Sequence, residues 1–387
     1  MRRLLLLVCT LVAVDTMLYA ALTPMLPRFA HELGLAKGQA GVLVAAYAAG
    51  ALVGAMPGGI ATTRLGPRRA VLAGLTWVGL ASVGFALAGD FWGLFAARLA
   101  QGAGSAFTWA GAFAWLLGAA PVQRRGQVIG TAMGAAVVGA LFGPVVGAIA
   151  DGIGRDVMFC SLAGLAGALA VWTLRVPPAP AAGASDVRLA GALRDRRFAG
   201  GLGLMSLASL LFGILSVLAP LHLSAAGWGA GAIAATWLAG ALLEAVESPF
   251  IGRLSDTRGP MHPVRLGLAG GVLVSLGLAT GATPALYALL ILAASAVFGA
   301  FFTPAFALIA DGADSAGLAQ GMAFGLMNAA WAIGAVIGPA LAGAVAGATG
   351  DWIPFLIAAA ACAGTLAFVS RGRRGGALYA RRRFHEA

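Results

Sequence analysis

Charge is scarce in this chain: 10% of its 387 residues are Asp, Glu, Lys or Arg, while 60% are hydrophobic. A water-soluble domain carries roughly a quarter charged residues. No soluble fold of this length has interior enough for so much apolar surface, so that class is excluded. Lysine occurs once, at Lys37, and the four histidines are scattered. Because Ala36 precedes Lys37, no G-x-x-x-x-G-K phosphate loop exists, and neither H-E-x-x-H nor G-x-S-x-G occurs. Direct use of ATP and two hydrolytic chemistries therefore lack their residues, and no cofactor is implied. Cys9, Cys160 and Cys362 all fall in apolar stretches without metal-ligand spacing. They read as small packing residues, and no disulfide is expected.

What is present is a series of apolar runs, each about long enough to cross a hydrocarbon core. They cover residues 4–26, 38–62, 69–89, 91–119, 126–151, 157–175, 198–222, 228–252, 264–283, 285–308, 318–347 and 352–370. Backbone groups in lipid must find partners within the segment, so these runs are helices. Met-Arg-Arg followed by Leu4 to Leu7 looks like the start of a signal segment. Asp15 interrupts the run and the apolar stretch continues past it, which argues for a retained first span.

The net charge of +11 is unevenly placed. Of 25 Arg and Lys residues, Arg28, Lys37 and Arg155 fall on one side of the predicted spans and Arg98 lies inside one; the other 21 share the opposite side with both chain ends. That bias predicts cytoplasmic termini, with Trp92, Trp228 and Trp352 at the outer interface. The basic balance reports orientation in a lipid bilayer and implies no nucleic acid. The preference for Arg over Lys points to a bacterial source, so the expected location is the cytoplasmic (inner) membrane, as a multi-pass protein.

Residues 177–197 break the pattern with Pro177, Pro178 and Pro180, then Ala, Gly and Ser, then Arg188, Arg194, Arg196 and Arg197. This reads as a cytoplasmic linker ending in a short surface helix. It separates a six-span bundle, 1–176, from a second six-span bundle with a tail, 198–387. The two are repeats. Gly59-Ile-Ala-Thr-Thr63-Arg-Leu-Gly66 returns 193 residues later as Gly252-Arg-Leu-Ser-Asp256-Thr-Arg-Gly259, and Pro27 and Pro220, taken to close spans 1 and 7, keep the same offset. Gly130-x8-Gly139-x3-Gly143-Pro144 returns as Gly325-x8-Gly334-x3-Gly338-Pro339, 195 residues on. Paired halves of this kind belong to transporters that rock one bundle against the other around a midplane site.

Over essentially its whole length the chain resembles the major facilitator superfamily. Gly59, Arg64, Gly66, Arg68 and Arg69 match the family's motif after span 2, although Thr63 stands where the family has Asp. Arg98-Leu-Ala-Gln101-Gly102 resembles the span 4 motif. The span 5 motif resembles the signature of the exporting, antiporter branch until Ala148 replaces its last Gly. Asp15 with Pro24 and Pro27 is similar to the first span of the vesicular amine transporters and their twelve-span drug:proton antiporter relatives. The resemblance implies an all-α polytopic fold of about twelve spans in two pseudo-symmetric bundles, moving solutes by alternating access.

An ionisable side chain inside a bilayer is costly and marks function by default. Asp15 lies near the middle of span 1, with Tyr19 one turn away on the same face. Arg98, Gln101, Ser105 and Thr108 form one stripe of span 4. The expectation is that Asp15 takes up a proton or a cationic substrate group, with Arg98 tuning it; the bland alternative is a permanent Asp–Arg brace between spans 1 and 4. Glu244 and Glu247 share a face of span 8, and two carboxyls three residues apart resist ionising together, which makes them a second proton-site candidate.

Gly139, Gly143 and Gly147, and likewise Gly338, form stripes that let helices approach closely in lipid, while Pro144 and Pro339 bend their helices. These residues are expected to shape the rocking motion. Asp256, Arg64, Arg68 and Arg69 are expected to make charge-assisted contacts that close the cytoplasmic side, more loosely than in relatives because Thr63 offers only a neutral hydrogen bond. For the substrate cavity the candidates are Asp15, Tyr19, Tyr47, Gln101, Trp109, Phe113, Phe302, Phe324, Asn328 and Trp331. Aromatic walls around one carboxylate suit an amphipathic cation.

The resemblance and these residues together predict a proton-coupled antiporter exporting hydrophobic, cationic small molecules, for which a monomer suffices. The competing reading is a transporter of a neutral or anionic metabolite such as a sugar, amino acid or organic acid, with Arg98 at the substrate. An intramembrane enzyme finds no support in the motifs.

Overall fold

A computed structural model describes residues 1–121, 124–178, 189–281, 283–318 and 320–383, with no side chains described at 125, 126, 189, 190, 256, 320, 321, 324 and 371–383. The described elements are helices, as apolar runs in lipid require. The first repeat contains α1 (Arg2–Ala20), α2 (Leu22–Glu32), α3 (Lys37–Leu65), α4 (Pro67–Leu87), α5 (Phe91–Ala119), α6 (Arg125–Ile153) and α7 (Arg155–Arg175). A short α8 (Leu189–Arg194) precedes the second: α9 (Arg196–Ala225), α10 (Ala230–Arg258), α11 (Met261–Ala279), α12 (Pro284–Gly299), α13 (Phe302–Ser315), α14 (Gln320–Thr349) and α15 (Trp352–Arg383). With α1–α2 and α12–α13 each forming one span, the helices make the expected twelve.

Among the described residues, eleven of these spans are long and apolar enough to cross a membrane. The twelfth, α5, is 29 residues long and carries Arg98, Gln101, Ser105 and Thr108 along one face.

Two expectations about helix ends are corrected. Pro27 and Pro220 do not close their spans; they lie inside α2 and α9, which run on to Glu32 and Ala225. A proline costs its helix one hydrogen bond and bends it, but neighbouring helices let the segment continue in lipid. Spans 1 and 10, read as continuous, are each interrupted, at Ala21 and at Ala300–Phe301. Pro24 and Pro304 supply no N–H to the carbonyls of Ala20 and Ala300 four residues before them, which is where the ladders fail.

The repeat is visible in the packing. A Cβ on Gly139 would lie 2.1 Å from both Ala13 O and Thr16 Oγ1; one on Gly334 would lie 2.1 Å from Ser206 O and Ser209 Oγ, in the same pattern 193 to 195 residues on. Likewise Gly143 meets Met17 O and Gly338 meets Leu210 O. So α6 seats on α1 as α14 seats on α9. The tight turns also recur: Gly66 and Gly259 (φ 87° and 81°), and Gly154 and Gly350 (φ 100° and 96°), all in a region that L side chains rarely adopt.

An even number of spans puts both chain termini at one end of the bundle, called here the terminal end. The halves meet at the opposite, far end. There Gly41 of α3 packs on α14, where its Cβ would lie 2.2 Å from Pro339 O, and Gly343 packs on Lys37 O at the same 2.2 Å. Lys37 also pairs with Asp351 at the head of α15. At the terminal end Gly130 and Gly134 of α6 and Gly325 of α14 face open space.

Candidate functional site

Asp15 projects from α1 into the first repeat, and two helices, α3 and α5, supply three donors to it. The Tyr47 hydroxyl of α3 donates to Oδ1 at 2.8 Å, while Ser105 Oγ and Trp109 Nε1 of α5 donate to Oδ2 at 2.8 and 2.7 Å. The carboxyl is only 9% exposed. Hydrogen bonds from neutral donors to a carboxylate are strong in such surroundings, and this trio can hold the charged form without a counterion in contact. A cavity of about 20 Å3, room for about one water, touches Asp15 between α1, α4, α5 and α7.

Arg98 is as deeply buried, yet it makes no ion pair with Asp15; the three ion pairs among the described residues are Arg28–Glu32, Arg28–Asp151 and Lys37–Asp351. Its guanidinium donates instead to Leu18 O (3.2 Å), Tyr19 O (3.1 Å) and Gln101 Oε1 (3.2 Å). Those carbonyls lie just before the break at Ala21, where the helical ladder is weakened by Pro24, so Arg98 ties down the interruption of span 1. Tyr47 stands between the two charges, its hydroxyl on Asp15 and its ring 4.8 Å from the Arg98 carbon. The permanent Asp–Arg brace is therefore not the arrangement found. Gln101 passes the network on to Ser82 of α4 at 3.2 Å.

The aromatic residues connect this network to the second repeat. Tyr19 lies 5.4 Å from the Tyr47 ring and meets Trp331 of α14 edge-on at 5.2 Å. Phe113 stacks on Trp109 at 5.4 Å. Asn328 is half-buried on α14, one turn before Trp331. Phe302 stands apart, stacked on Phe212 at 6.0 Å inside the second repeat. The side chain of Phe324 lies outside the described residues.

Glu244 and Glu247 lie apart from this network, on α10. Glu244 packs against the interruption of span 10, where a Cβ on Gly299 would fall 2.5 Å from its Cγ, and Glu247 Oε1 is buried without a partner. No described contact joins them to Asp15.

The motif residues after span 2 behave differently from expectation. Thr63 Oγ1 donates to Ile60 O within its own helix, and Arg68 donates to Leu174 O at the end of α7. Arg64 and Arg69 are exposed, Gly59 and Gly66 face open space, and the Asp256 side chain lies outside the described residues. Charged closure between the halves is found at the far end, in Lys37–Asp351. The glycine stripes with Gly139, Gly143 and Gly147 join helices of one repeat, with Pro144 in the same helix α6; the close approach between repeats is at Gly41, Gly343 and Pro339.

Sequence reasoning missed Ser82, Phe212 and the two glycines Gly41 and Gly343, and gave Ser105 no role. Ser105 had a signal, its place on the Arg98 stripe. A lone serine in an apolar helix, such as Ser82, carries none.

Twelve spans in two repeats, with a buried polar network in the first repeat that touches the second through Tyr19 and Trp331, define a secondary transporter of the membrane. The chain belongs to the Major Facilitator Superfamily, whose family model matches residues 8–323. It is 29% identical over 140 residues to the MFS-type transporter ppzB of Metarhizium rileyi, a match spanning 35% of this chain and 29% of that one. The fold is similar to that of a bacterial homolog of the human lysosomal transporter Spinster in an inward-facing, occupied conformation, with a TM-score of 0.77, 14% identity, and 96% of both chains covered. It is also similar to a variant of the nucleoside transporter NupG, with a TM-score of 0.72, 14% identity, and 95% and 99% coverage.

Proposed function

We propose that this transporter is a proton-coupled antiporter that exports hydrophobic, cationic small molecules by alternating access, as a monomer, across a bacterial cytoplasmic membrane. The observation that carries this reading is Asp15: a carboxyl buried in a membrane helix, held by three neutral donors, with no ion pair among the described residues. Such a group exchanges a proton for a cationic substrate without first breaking an ion pair. Tyr19 and Trp331 meet across the two repeats beside it, where their π faces suit an organic cation. The positive-inside bias puts the terminal end in the cytoplasm. Closure at the far end then makes this conformation inward-open, ready for substrate from the cytoplasm. Glu244 and Glu247, against the interruption of span 10, form a second proton site.

The neutral or anionic metabolite reading needs Arg98 at the substrate. Arg98 is 1% exposed and its two Nη groups donate to Leu18, Tyr19 and Gln101, which disfavours that role, although its Nε is buried without an acceptor.

Counterflow in proteoliposomes tests the proposal, with an imposed pH gradient driving labelled organic cations, neutral compounds and anions. Gradient-dependent uptake of cations that is lost in Asp15→Asn is expected. Transport of the cations that is indifferent to pH and survives Asp15→Asn would overturn the coupling assignment.

A further inference from the structure

The second repeat carries a cavity of about 450 Å3 at the terminal end, between the α10–α11 turn and α15. Arg258, Met261, His262, Arg265 and Val369 line it. With Gly259 and Pro260 the lining comprises seven residues, three of them basic. Arg258 is exposed, with its Nη1 3.5 Å from His262 Nε2. Arg265 is anchored by one nitrogen to Val369 O at 3.3 Å, while its Nε is buried with no acceptor. The first turn of α11 also begins here, so the positive end of a helix dipole adds to the field.

The first repeat treats the corresponding place differently. Arg68 caps the last turn of α7 at Leu174 O, as Arg265 caps α15 at Val369 O. Counting back 193 residues, Met261 stands in the place of Arg68, and the capping arginine of the second repeat sits one turn further along its helix. That shift leaves space between the turn and α15.

Depth identifies the occupant. Val369 lies at the end of the apolar stretch Trp352–Ser370, and α11 begins its span at Met261. The cavity is therefore at the level where hydrocarbon gives way to headgroups, and basic pockets between helix ends at that level suit anionic lipid phosphates. We infer that this cavity binds the phosphate headgroup of an anionic phospholipid, with Arg258 and His262 at its mouth and Arg265 in its wall. The site is remote from Asp15 and independent of the antiport reading.

Native mass spectrometry of the full chain in neutral detergent tests this, with phosphatidylglycerol, phosphatidylcholine of the same acyl chains, or inorganic phosphate added. Arg265 is left intact because it caps α15. Wild type is expected to retain one phosphatidylglycerol in preference to phosphatidylcholine. Arg258→Gln/His262→Gln should weaken that retention at least about fivefold, the worth of one surface charge near a membrane. Arg64→Gln/Arg69→Gln, which removes two charges from the first repeat, should leave it unchanged. Equal retention of the two lipids, or an unaltered Arg258→Gln/His262→Gln variant, would overturn the proposal. Displacement of the lipid by inorganic phosphate at equal concentration would reassign the cavity to a free anion.

Discussion

Lys37 and Asp351 are paired across the far end of the molecule, the first residue of α3 against the residue just before α15. No other ion pair among the described residues joins the two repeats. Both side chains are partly exposed, 40% and 28%, so solvent weakens the pair to about 1 kcal/mol or less. Asp351→Asn should therefore shift the populations of far-end-open and far-end-closed states by at most about fivefold. Spin-label distances across the far end would report the shift, and the exchanged pair Lys37→Asp/Asp351→Lys should reverse it.

The glycine contacts separate state choice from stability. In Gly41→Ala the new methyl meets Pro339 O of the other repeat, whereas in Gly139→Ala it meets Ala13 O of its own. Overpacking against backbone costs about 1–3 kcal/mol. Gly41→Ala is expected to spend that in opening the far end, seen as longer spin-label distances with little change in melting temperature. Gly139→Ala should lower the melting temperature and leave the distances alone. Gly59→Ala, which enters open space, should do neither.

Asp15 should be judged by two substitutions. Asp15→Ala strands the donors of Tyr47, Ser105 and Trp109, each at about 1–3 kcal/mol if left unpaired. Asp15→Asn keeps an oxygen for some of them. Thermal unfolding in detergent should rank wild type above Asp15→Asn and Asp15→Ala lowest, while both variants lose gradient-driven transport.

Outside the membrane, Asp195 caps α9 by accepting from the backbone N–H groups of Phe198 and Arg197. The Phe198 N–H above all holds its carboxyl below the ordinary range. Because the folded value is depressed, the cap's contribution is complete at neutral pH and is lost as pH falls through that folded value. Hydrogen exchange at Arg197 and Phe198 should be faster in Asp195→Ala than in wild type at neutral pH. Once corrected for intrinsic rates, the difference should vanish on strong acidification.

The sequence by itself determined the solvent, the number of spans and the repeat. Each is written in residues a few positions apart, or at one fixed offset: apolar runs of helix length, glycine–proline motifs 193 to 195 residues apart, and turns that only glycine closes easily. It also named Asp15 and Arg98, since a charge inside an apolar run is conspicuous whatever surrounds it. Tertiary structure decided how those charges are satisfied. That Asp15 is held by Tyr47, Ser105 and Trp109, while Arg98 binds carbonyls at the break of span 1, depends on the angles between α1, α3 and α5, and no linear spacing encodes those. The meeting of Gly41 with Pro339, nearly 300 residues apart in the chain, is likewise a product of how two repeats dock. Local periodicity fixes which face of a helix is polar; only packing fixes what that face meets.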